Sequence, residues 1–371
     1  MDQEYSRLLE PGQSLSERIR TLHAELIERI PVVDHVSCVL YEPQSDMLRT
    51  YLSSTRRGTG LHGYEFPLSD SESLSRLAQE GFYRVIDDIP ASVSDTSKHS
   101  RWLLEQGYRS SFTVPVFDVD RFAGFVFFDS MEPAAFTPER QRDALVYAGR
   151  LGMAMQQDGV LVRNILQSAT VAREVVRLRD FETGAHVDRI AWYSRMIARG
   201  VADRFGFGDD FIEHLFRFAP LHDIGKVGIP DAILRKPAPL TPAEFEIMKT
   251  HVQLGMRLVG SVMGRLGVSS LADSQIILNL IHGHHERLDG SGYPRGVRDG
   301  DIPIEARIVA VSDVFDALVT DRPYKKAWPF DDAFDELDRM AAAGKLDPHC
   351  VAALGANRDE VRRVHRENPE L

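Results

Sequence analysis

The sequence predicts an α+β multidomain protein, in which an antiparallel sheet with flanking helices is followed by a long connecting helix and an all-α bundle. Short β-rich runs alternate with helical patterns up to about residue 155, and β signals almost vanish after about residue 180. Between these two regions a single helical pattern continues. We therefore divide the 371 residues into 1–155, 156–180 and 181–371.

The N-terminal region begins with a helical pattern and continues with strands. Ser14 and Glu17 form a capping box in front of apolar residues at helical spacing, Leu15, Ile19, Leu22, Leu26 and Ile30. Five β-rich runs follow, at 36–41, 47–53, 83–86, 111–117 and 122–128. The last two flank a polar turn and predict a hairpin. Thr137 as N-cap and Pro138 at the first helical position then predict a helix running to about Met155.

Three segments carry a resemblance to a sensor fold. Residues 111–116 (SFTVPV), 122–127 (FAGFVF) and 135–137 (AFT) resemble the late strands and the last-helix entry of the GAF family. The resemblance covers about residues 15 to 155. It implies an unknown small ligand in a GAF-like sensor domain that regulates the rest of the chain. A dimerising spacer without a ligand is the alternative, and no cysteine is placed to hold a covalent bilin.

The connecting helix at 156–180 permits two interpretations. Val160, Leu161, Ile165, Ala169, Ala172 and Val176 lie on or near one face, in an imperfect heptad. The segment could be a parallel dimer stalk, which would make the protein a homodimer. It could equally be the first core helix of the C-terminal domain.

The C-terminal region contains only helical patterns. They cover 190–201, 211–218, 242–259, 274–282, 304–319 and 330–343. The start of the third is the best defined, because Thr241 and Glu244 form a capping box around Pro242 at the first helical position.

Composition excludes several classes of function. A net charge of −11 argues against nonspecific binding to a nucleic acid polymer or to an anionic membrane. We find no apolar run of the roughly 18 residues that would span a bilayer. The acidic N-terminus is unlike a secretory signal, and two distant cysteines, Cys38 and Cys350, exclude a disulfide framework. We therefore expect a cytoplasmic protein.

Residues that bind metals are concentrated in the C-terminal region. Seven of the 13 histidines lie between His186 and His285. A single histidine on a helix is more often a packing or surface residue than a ligand. A buried aspartate such as Asp313, between Val311 and Val314, is costly unless it is paired or bound to metal. Together these residues indicate imidazole and carboxylate ligation of iron, manganese or zinc, with more ligands than one ion accepts.

Two motifs make the resemblance of this region specific. Segment 222–231 (HDIGKVGIPD) resembles the HD motif with the extension of HD-GYP domains, and 284–294 (HHERLDGSGYP) resembles the second motif that defines that family. Segments 249–251, 311–318 and 322–325 also match, and the likeness runs from about 165 to 350. It implies a cyclic di-GMP phosphodiesterase, a phosphoric diester hydrolase of bacterial second-messenger signalling. The GYP loop could also dock cyclic di-GMP synthases.

The resemblance implies a role for each matching residue. It implies metal ligation by eight residues, Glu182, His186, His222, Asp223, His251, His284, His285 and Asp313. Because Glu182 precedes the first histidine, a three-metal site with iron is favoured over two metals, although manganese and others remain alternatives. Asp223 and Lys226 would be catalytic, and the substrate contacts would be Lys226, Tyr293, Arg322 and Lys325. Gly290 and Gly292 would shape the loop, and Pro294 would stiffen it.

The implied chemistry is hydrolysis by water that bridges two metals and attacks phosphorus opposite the leaving 3′ oxygen. The products would be pGpG, GMP or both. Two alternatives stay open: a catalytically silent cyclic di-GMP sensor or protein-interaction module, and an HD phosphohydrolase that acts on another nucleotide. The complete set of ligands and the intact Gly292-Tyr293-Pro294 favour the enzyme.

Overall fold

A computed structural model of the chain describes residues 15–43, 45–57, 63–92, 98–118, 120–179, 184–266, 275–321 and 326–369. The chain forms two compact units. The first contains the residues up to Val160 together with Gly208–Asp210, and the second contains Leu161–Phe207 and Phe211–Leu371. Within the described ranges, no helix is both long enough and apolar enough to cross a membrane.

The first unit contains a six-stranded antiparallel sheet with the strand order β3-β2-β1-β6-β5-β4. The strands are β1 (His35–Glu42), β2 (Met47–Thr55), β3 (Glu65–Pro67), β4 (Arg84–Ile86), β5 (Ser110–Asp118) and β6 (Arg121–Ser130). All five predicted strands are confirmed, and so is the hairpin, in which Val114 lies opposite Val126. The three-residue β3, which pairs with β2, is too short to produce a periodic signal and was not predicted.

Helices cover both faces of this sheet. They are α1 (Leu15–Arg29), α2 (Glu72–Glu80), α3 (Ile89–Ser92), α4 (Lys98–Glu105) and α5 (Pro138–Arg179). Leu26 of α1 and Ala148 of α5 pack with Phe128 on one face. On the other face, Leu77 of α2 packs with Phe125. The predicted packing of helices from both ends of the segment on one sheet is confirmed, and the capping residue Ser14 lies outside the described residues.

Helix α5 is longer than predicted. The sequence suggests a helix that ends near Met155 and a separate one at 156–180, but the structure contains one continuous helix of 42 residues. Met155 is buried in the core of the first unit, whereas Val162 and Ile165 are buried in that of the second. The predicted end near Met155 was wrong, because Met155 and Val162 are seven residues apart, lie on nearly the same face of one helix and are buried in different cores.

The second unit contains helices and connecting loops, with no strand among its described residues. Its helices are α6 (Gly184–Phe205), α7 (Asp209–Phe218), α8 (Asp231–Leu234), α9 (Pro242–Lys249), α10 (His251–Leu266), α11 (Gln275–Gly283), α12 (Ile304–Val319), α13 (Phe330–Ala342), α14 (Pro348–Gly355) and α15 (Arg358–Glu367). One apolar core contains residues from most of them, including Ile197, Leu215, Ile277 and Phe315. The all-α prediction for this region is confirmed.

The predicted single helix at 242–259 is wrong in one respect. The Thr241–Glu244 capping box is present, but α9 ends at Lys249 and α10 begins at His251. At the junction, both the N–H and the hydroxyl of Thr250 donate to the carbonyl of Ile247, at 3.0 and 2.6 Å. Thr250 satisfies that carbonyl locally and so ends α9. The junction is next to His251, which belongs to the site described below.

Candidate metal centre

Seven of the eight predicted ligand residues come together in the second unit as two groups. The first group contains Asp223, His251, His284 and His285, and the second contains His186, His222 and Asp313. In each group the possible ligand atoms lie within 4.8 Å of one another. The eighth residue, Glu182, lies outside the described residues, as do the predicted substrate contacts Arg322 and Lys325.

The adjacent His222 and Asp223 connect the two groups. They lie between two short 3₁₀ segments, Ala219–Leu221 and Ile224–Gly228, and not within an α-helix. His222 Nε2 is 3.3 Å from Asp223 Oδ2, yet each residue belongs to a different group. The pair therefore contributes one possible ligand to each group.

Close backbone packing holds Asp223 against α10. A Cβ atom on Gly225 would lie 1.8 Å from the carbonyl oxygen of His251 and 2.4 Å from the amide nitrogen of Gly255. Only glycine fits at such a contact, since any side chain would force the backbones apart. Asp223 Oδ1 thereby lies 3.0 Å from His251 Nε2 and 3.5 Å from His284 Nε2.

Backbone carbonyls determine which nitrogen of three histidines faces the site. Nδ1 of His222 is 2.8 Å from the carbonyl of Ala219, that of His251 is 2.8 Å from Met248, and that of His284 is 3.0 Å from Ile281. A carbonyl oxygen can only accept, so each Nδ1 carries the proton and donates. In the neutral ring Nε2 then has a free lone pair, which is the arrangement that metal-binding histidines require.

Several buried polar atoms in the first group fit a metal better than any protein partner. Among the described residues, none offers a hydrogen bond of acceptable geometry to Nε2 of His251, Nε2 of His284 or Oδ1 of Asp223. Leaving such atoms buried and unsatisfied costs about 1–3 kcal/mol each. A divalent cation bound by imidazole and carboxylate would remove that cost, so the residues present fit a metal site.

The charge states of these residues also fit metal binding. Burial lowers the pKa of His284, and burial together with His284 lowers that of His285 well below its usual value. Both rings are therefore neutral at pH 7. Burial alone would raise the pKa of Asp223, but Lys226, with Nζ 3.0 Å from Oδ2, and His222 outweigh it and hold that pKa well below its usual value. Asp223 is therefore a carboxylate.

In the second group, His186 is held by a buried acid that was not among the predicted site residues. Its Nδ1 is 2.7 Å from Asp316 Oδ2, which also accepts from Nη2 of Arg189 at 2.8 Å. Both carboxylate oxygens contact Arg189, since Nε donates to Oδ1 at 2.6 Å. Desolvation opposes the charge on Asp316, but Arg189 and His186 lower its pKa below the usual range. Asp316 thus orients His186 towards the group.

The loop after His285 places Tyr293 beside the first group. The Tyr293 ring lies 4.6 Å from the His285 ring and 6.4 Å from the His251 ring, measured between centroids. Burial raises the pKa of Tyr293, so its hydroxyl stays protonated at neutral pH. The peptide bond between Tyr293 and Pro294 is cis. Glu286, for which the sequence predicted no role, braces this loop, because its Oε1 accepts from the backbone N–H of Arg295 at 2.8 Å.

The backbone geometry of this loop explains why residues 290 and 292 are both glycine. Gly290 has a φ of 79°, in the left-handed region that favours glycine. A Cβ on Gly292 would lie 2.4 Å from the nitrogen of Arg287 and 2.5 Å from the carbonyl oxygen of His285. The loop therefore folds back directly onto the backbone that carries a predicted ligand.

Gly292→Ala should disturb the site more than the fold. Because the added methyl group collides with the backbone at His285, we expect a destabilisation of about 1–3 kcal/mol together with weaker metal retention. Thermal unfolding and metal analysis of the purified variant would measure both. Gly300→Ala is the matched control, since a Cβ there meets no atom within 4 Å. Metal content equal to the wild type in Gly292→Ala would contradict the prediction.

Comparisons with known proteins agree with the geometry of the second unit. Residues 171–350 match the family described as HD domain. Curated relatives include a cyclic di-GMP phosphodiesterase of Thermotoga maritima, 44% identical over 193 residues (52% of this chain, 49% of that protein). A 3′3′-cGAMP-specific phosphodiesterase 2 of Vibrio cholerae is 38% identical over 196 residues, 53% of this chain and 35% of that protein. This chain thus spans half or less of these relatives' length.

Solved structures similar to the first unit include GAF domains. One is the phycocyanobilin-bound GAF domain from a cyanobacterial phytochrome, 20% identical, with a TM-score of 0.33 and coverage of 40% of this chain and 87% of that one. Another is the GAF domain of a phosphotransferase from Coxiella burnetii, 14% identical with a TM-score of 0.35, covering 43% and 92%. Nothing about a ligand of this chain follows from a likeness of that size.

Proposed function

We propose that the chain is a metal-dependent phosphodiesterase that hydrolyses cyclic di-GMP, and that residues 171–350, which match the HD domain family, carry this activity. One observation carries the proposal. Seven nitrogen- and oxygen-donor side chains converge in two groups that the adjacent residues His222 and Asp223 connect, and in the first group the buried Nε2 atoms of His251 and His284 have no hydrogen bond among the described residues. The Thermotoga maritima relative is named as a cyclic di-GMP phosphodiesterase, and this name supports the choice of substrate.

The seven residues would hold at least two divalent cations, and we propose iron as the occupant. Glu182 would add a ligand for a third ion. When bound, such ions would lower the pKa of coordinated water and offset charge on the phosphoryl oxygens. The histidines contribute neutral Nε2 atoms that are already oriented, so little reorganisation is needed on binding.

The chain's own residues would position the phosphodiester and stabilise its charge. Lys226, anchored to Asp223 at 3.0 Å, provides a fixed positive charge beside the first group. Tyr293 provides a protonated hydroxyl beside the His285 and His251 rings. Arg322 and Lys325 would contact the rest of the substrate. Attack of water on phosphorus breaks the bond to the 3′ oxygen, giving pGpG, and a second cleavage gives GMP. The local cations also explain how a chain with net charge −11 accepts an anion.

Regulation by the first unit is a further part of the proposal. Helix α5 contributes Met155 to one core and Val162 to the other, and this continuous helix supports the proposal. We propose that a small ligand of the GAF-like unit acts along this helix in a homodimer. Light scattering that returned a monomer at micromolar concentration would reject the dimer.

The test is metal analysis after anaerobic purification, followed by a turnover assay with cyclic di-GMP and 3′3′-cGAMP. The assay includes 3′3′-cGAMP because one relative is named for cyclic di-GMP and another for 3′3′-cGAMP. We expect two or three ions per chain and formation of pGpG or GMP. Full metal loading with tight binding of cyclic di-GMP but no product would instead indicate a silent sensor. Product from other nucleotides alone would indicate a different HD phosphohydrolase.

A further inference from the structure

One end of α9 carries exposed groups that the proposed mechanism does not use. We refer to Phe245, Glu246 and Lys249 as the α9 platform. The Phe245 side chain is 44% exposed, so part of its ring is open to solvent. The Lys249 ammonium lies 2.6 Å from Glu246 Oε1. Because the Glu246 side chain is 69% exposed, solvent screens this ion pair and it stabilises the fold by little.

The platform is next to the candidate metal centre. The Phe245 ring lies 6.0 Å from the Tyr293 ring in an edge-to-face arrangement, and the Tyr293 ring lies 4.6 Å from His285. Lys249 Nζ lies 5.5 Å from the Phe245 centroid and 5.8 Å from the Tyr293 centroid. Tyr293 therefore lies beside both the α9 platform and the first ligand group.

The chemistry of the platform matches a purine base, and guanine better than adenine. An exposed aromatic face stacks on any base, with about 1–3 kcal/mol per base. Lysine donates to O6 and N7 of guanine. The neighbouring Glu246 carboxylate can accept from the N1–H and N2–H groups of the same base. Adenine would instead direct its N6 amino donor at the ammonium, which is an unfavourable pairing.

We propose that the α9 platform binds a guanine base of the substrate, with Phe245 stacking on it and with Lys249 and Glu246 reading its edge. This inference rests on the proposed function, because it assigns a base contact to the same site. It makes Lys249 a residue that determines specificity between guanine- and adenine-containing dinucleotides. Phe245 supplies affinity without distinguishing the two bases.

The experiment uses the full chain loaded with metal, and compares Lys249→Met and Phe245→Leu with the wild type. Ile247→Ala is the matched control, since Ile247 lies on the same helix and is also 44% exposed. Lys249→Met should lower kcat/KM for cyclic di-GMP by about 10- to 100-fold. It should raise the inhibition constant of GMP by a similar factor and leave that of AMP unchanged. Phe245→Leu should weaken GMP and AMP alike, by about 5- to 100-fold.

Equal effects of Lys249→Met on GMP and AMP, or no effect on either, would overturn the inference. Unchanged turnover in Phe245→Leu would point to a surface for another protein and overturn it as well. Failure of the proposed function looks different, because the wild type itself would then hydrolyse no cyclic dinucleotide. In that case calorimetric binding of GMP and AMP to the wild type and to Lys249→Met still decides the base preference.

Discussion

Asp223→Asn should remove most of the metal and nearly all turnover. The carboxylate lies within 3.5 Å of Nε2 of three histidines from both groups, so the loss of its charge affects both ions. Loss of an outer partner of a ligand typically costs 10–100-fold in metal affinity or activity, and loss of a shared ligand should cost more than about 100-fold. Metal analysis and the cyclic di-GMP assay measure the two effects.

Asp231→Asn is the control for this variant. Asp231 is an exposed carboxylate at the start of α8, within the same sequence motif, and belongs to neither ligand group. The Asp231→Asn substitution removes the same charge without changing either ligand group, so metal content and turnover should match the wild type. Full turnover by Asp223→Asn would show that the two groups do not act as one metal centre.

Asp316→Leu should produce the largest loss of stability. Arg189 and Asp316 are both fully buried, and removal of the carboxylate takes this counter-charge away from the guanidinium. Breaking such a pair costs about 3–5 kcal/mol. Thermal unfolding of the metal-free protein would show this, because the measurement excludes any stabilisation by bound ions.

The double variant Arg189→Met/Asp316→Leu separates the two roles of Asp316. Stability should largely return, since two apolar side chains can replace a buried ion pair at little cost. Metal affinity should stay reduced by about 10–100-fold, because Nδ1 of His186 still lacks its acceptor. A double variant that regained both properties would show that Asp316 does not orient His186.

The two-part organisation could be predicted from sequence because it depends on local patterns. The alternating β-rich runs and the polar turn before β6 predicted strands that the structure confirms, and the Thr241–Glu244 box marked the start of α9 correctly. Boundaries that depend on tertiary packing were less well predicted. The length of α5 and the break at Thr250 depend on contacts between elements and on local hydrogen bonds that no periodicity encodes.

The candidate ligands could be predicted because histidine and aspartate in these motifs carry a chemical signal of their own. Their division into two groups could not, since it depends on how His222 and Asp223 are oriented between two 3₁₀ segments. Asp316 offered a weak signal, as a carboxylate three residues after Asp313 in an apolar helix. Its role depends on the tertiary structure, in which α6 places His186 and Arg189 beside it. These two residues lie more than 120 positions earlier in the chain. Sequence patterns identify groups that are costly to bury, whereas the tertiary structure determines which partners offset that cost.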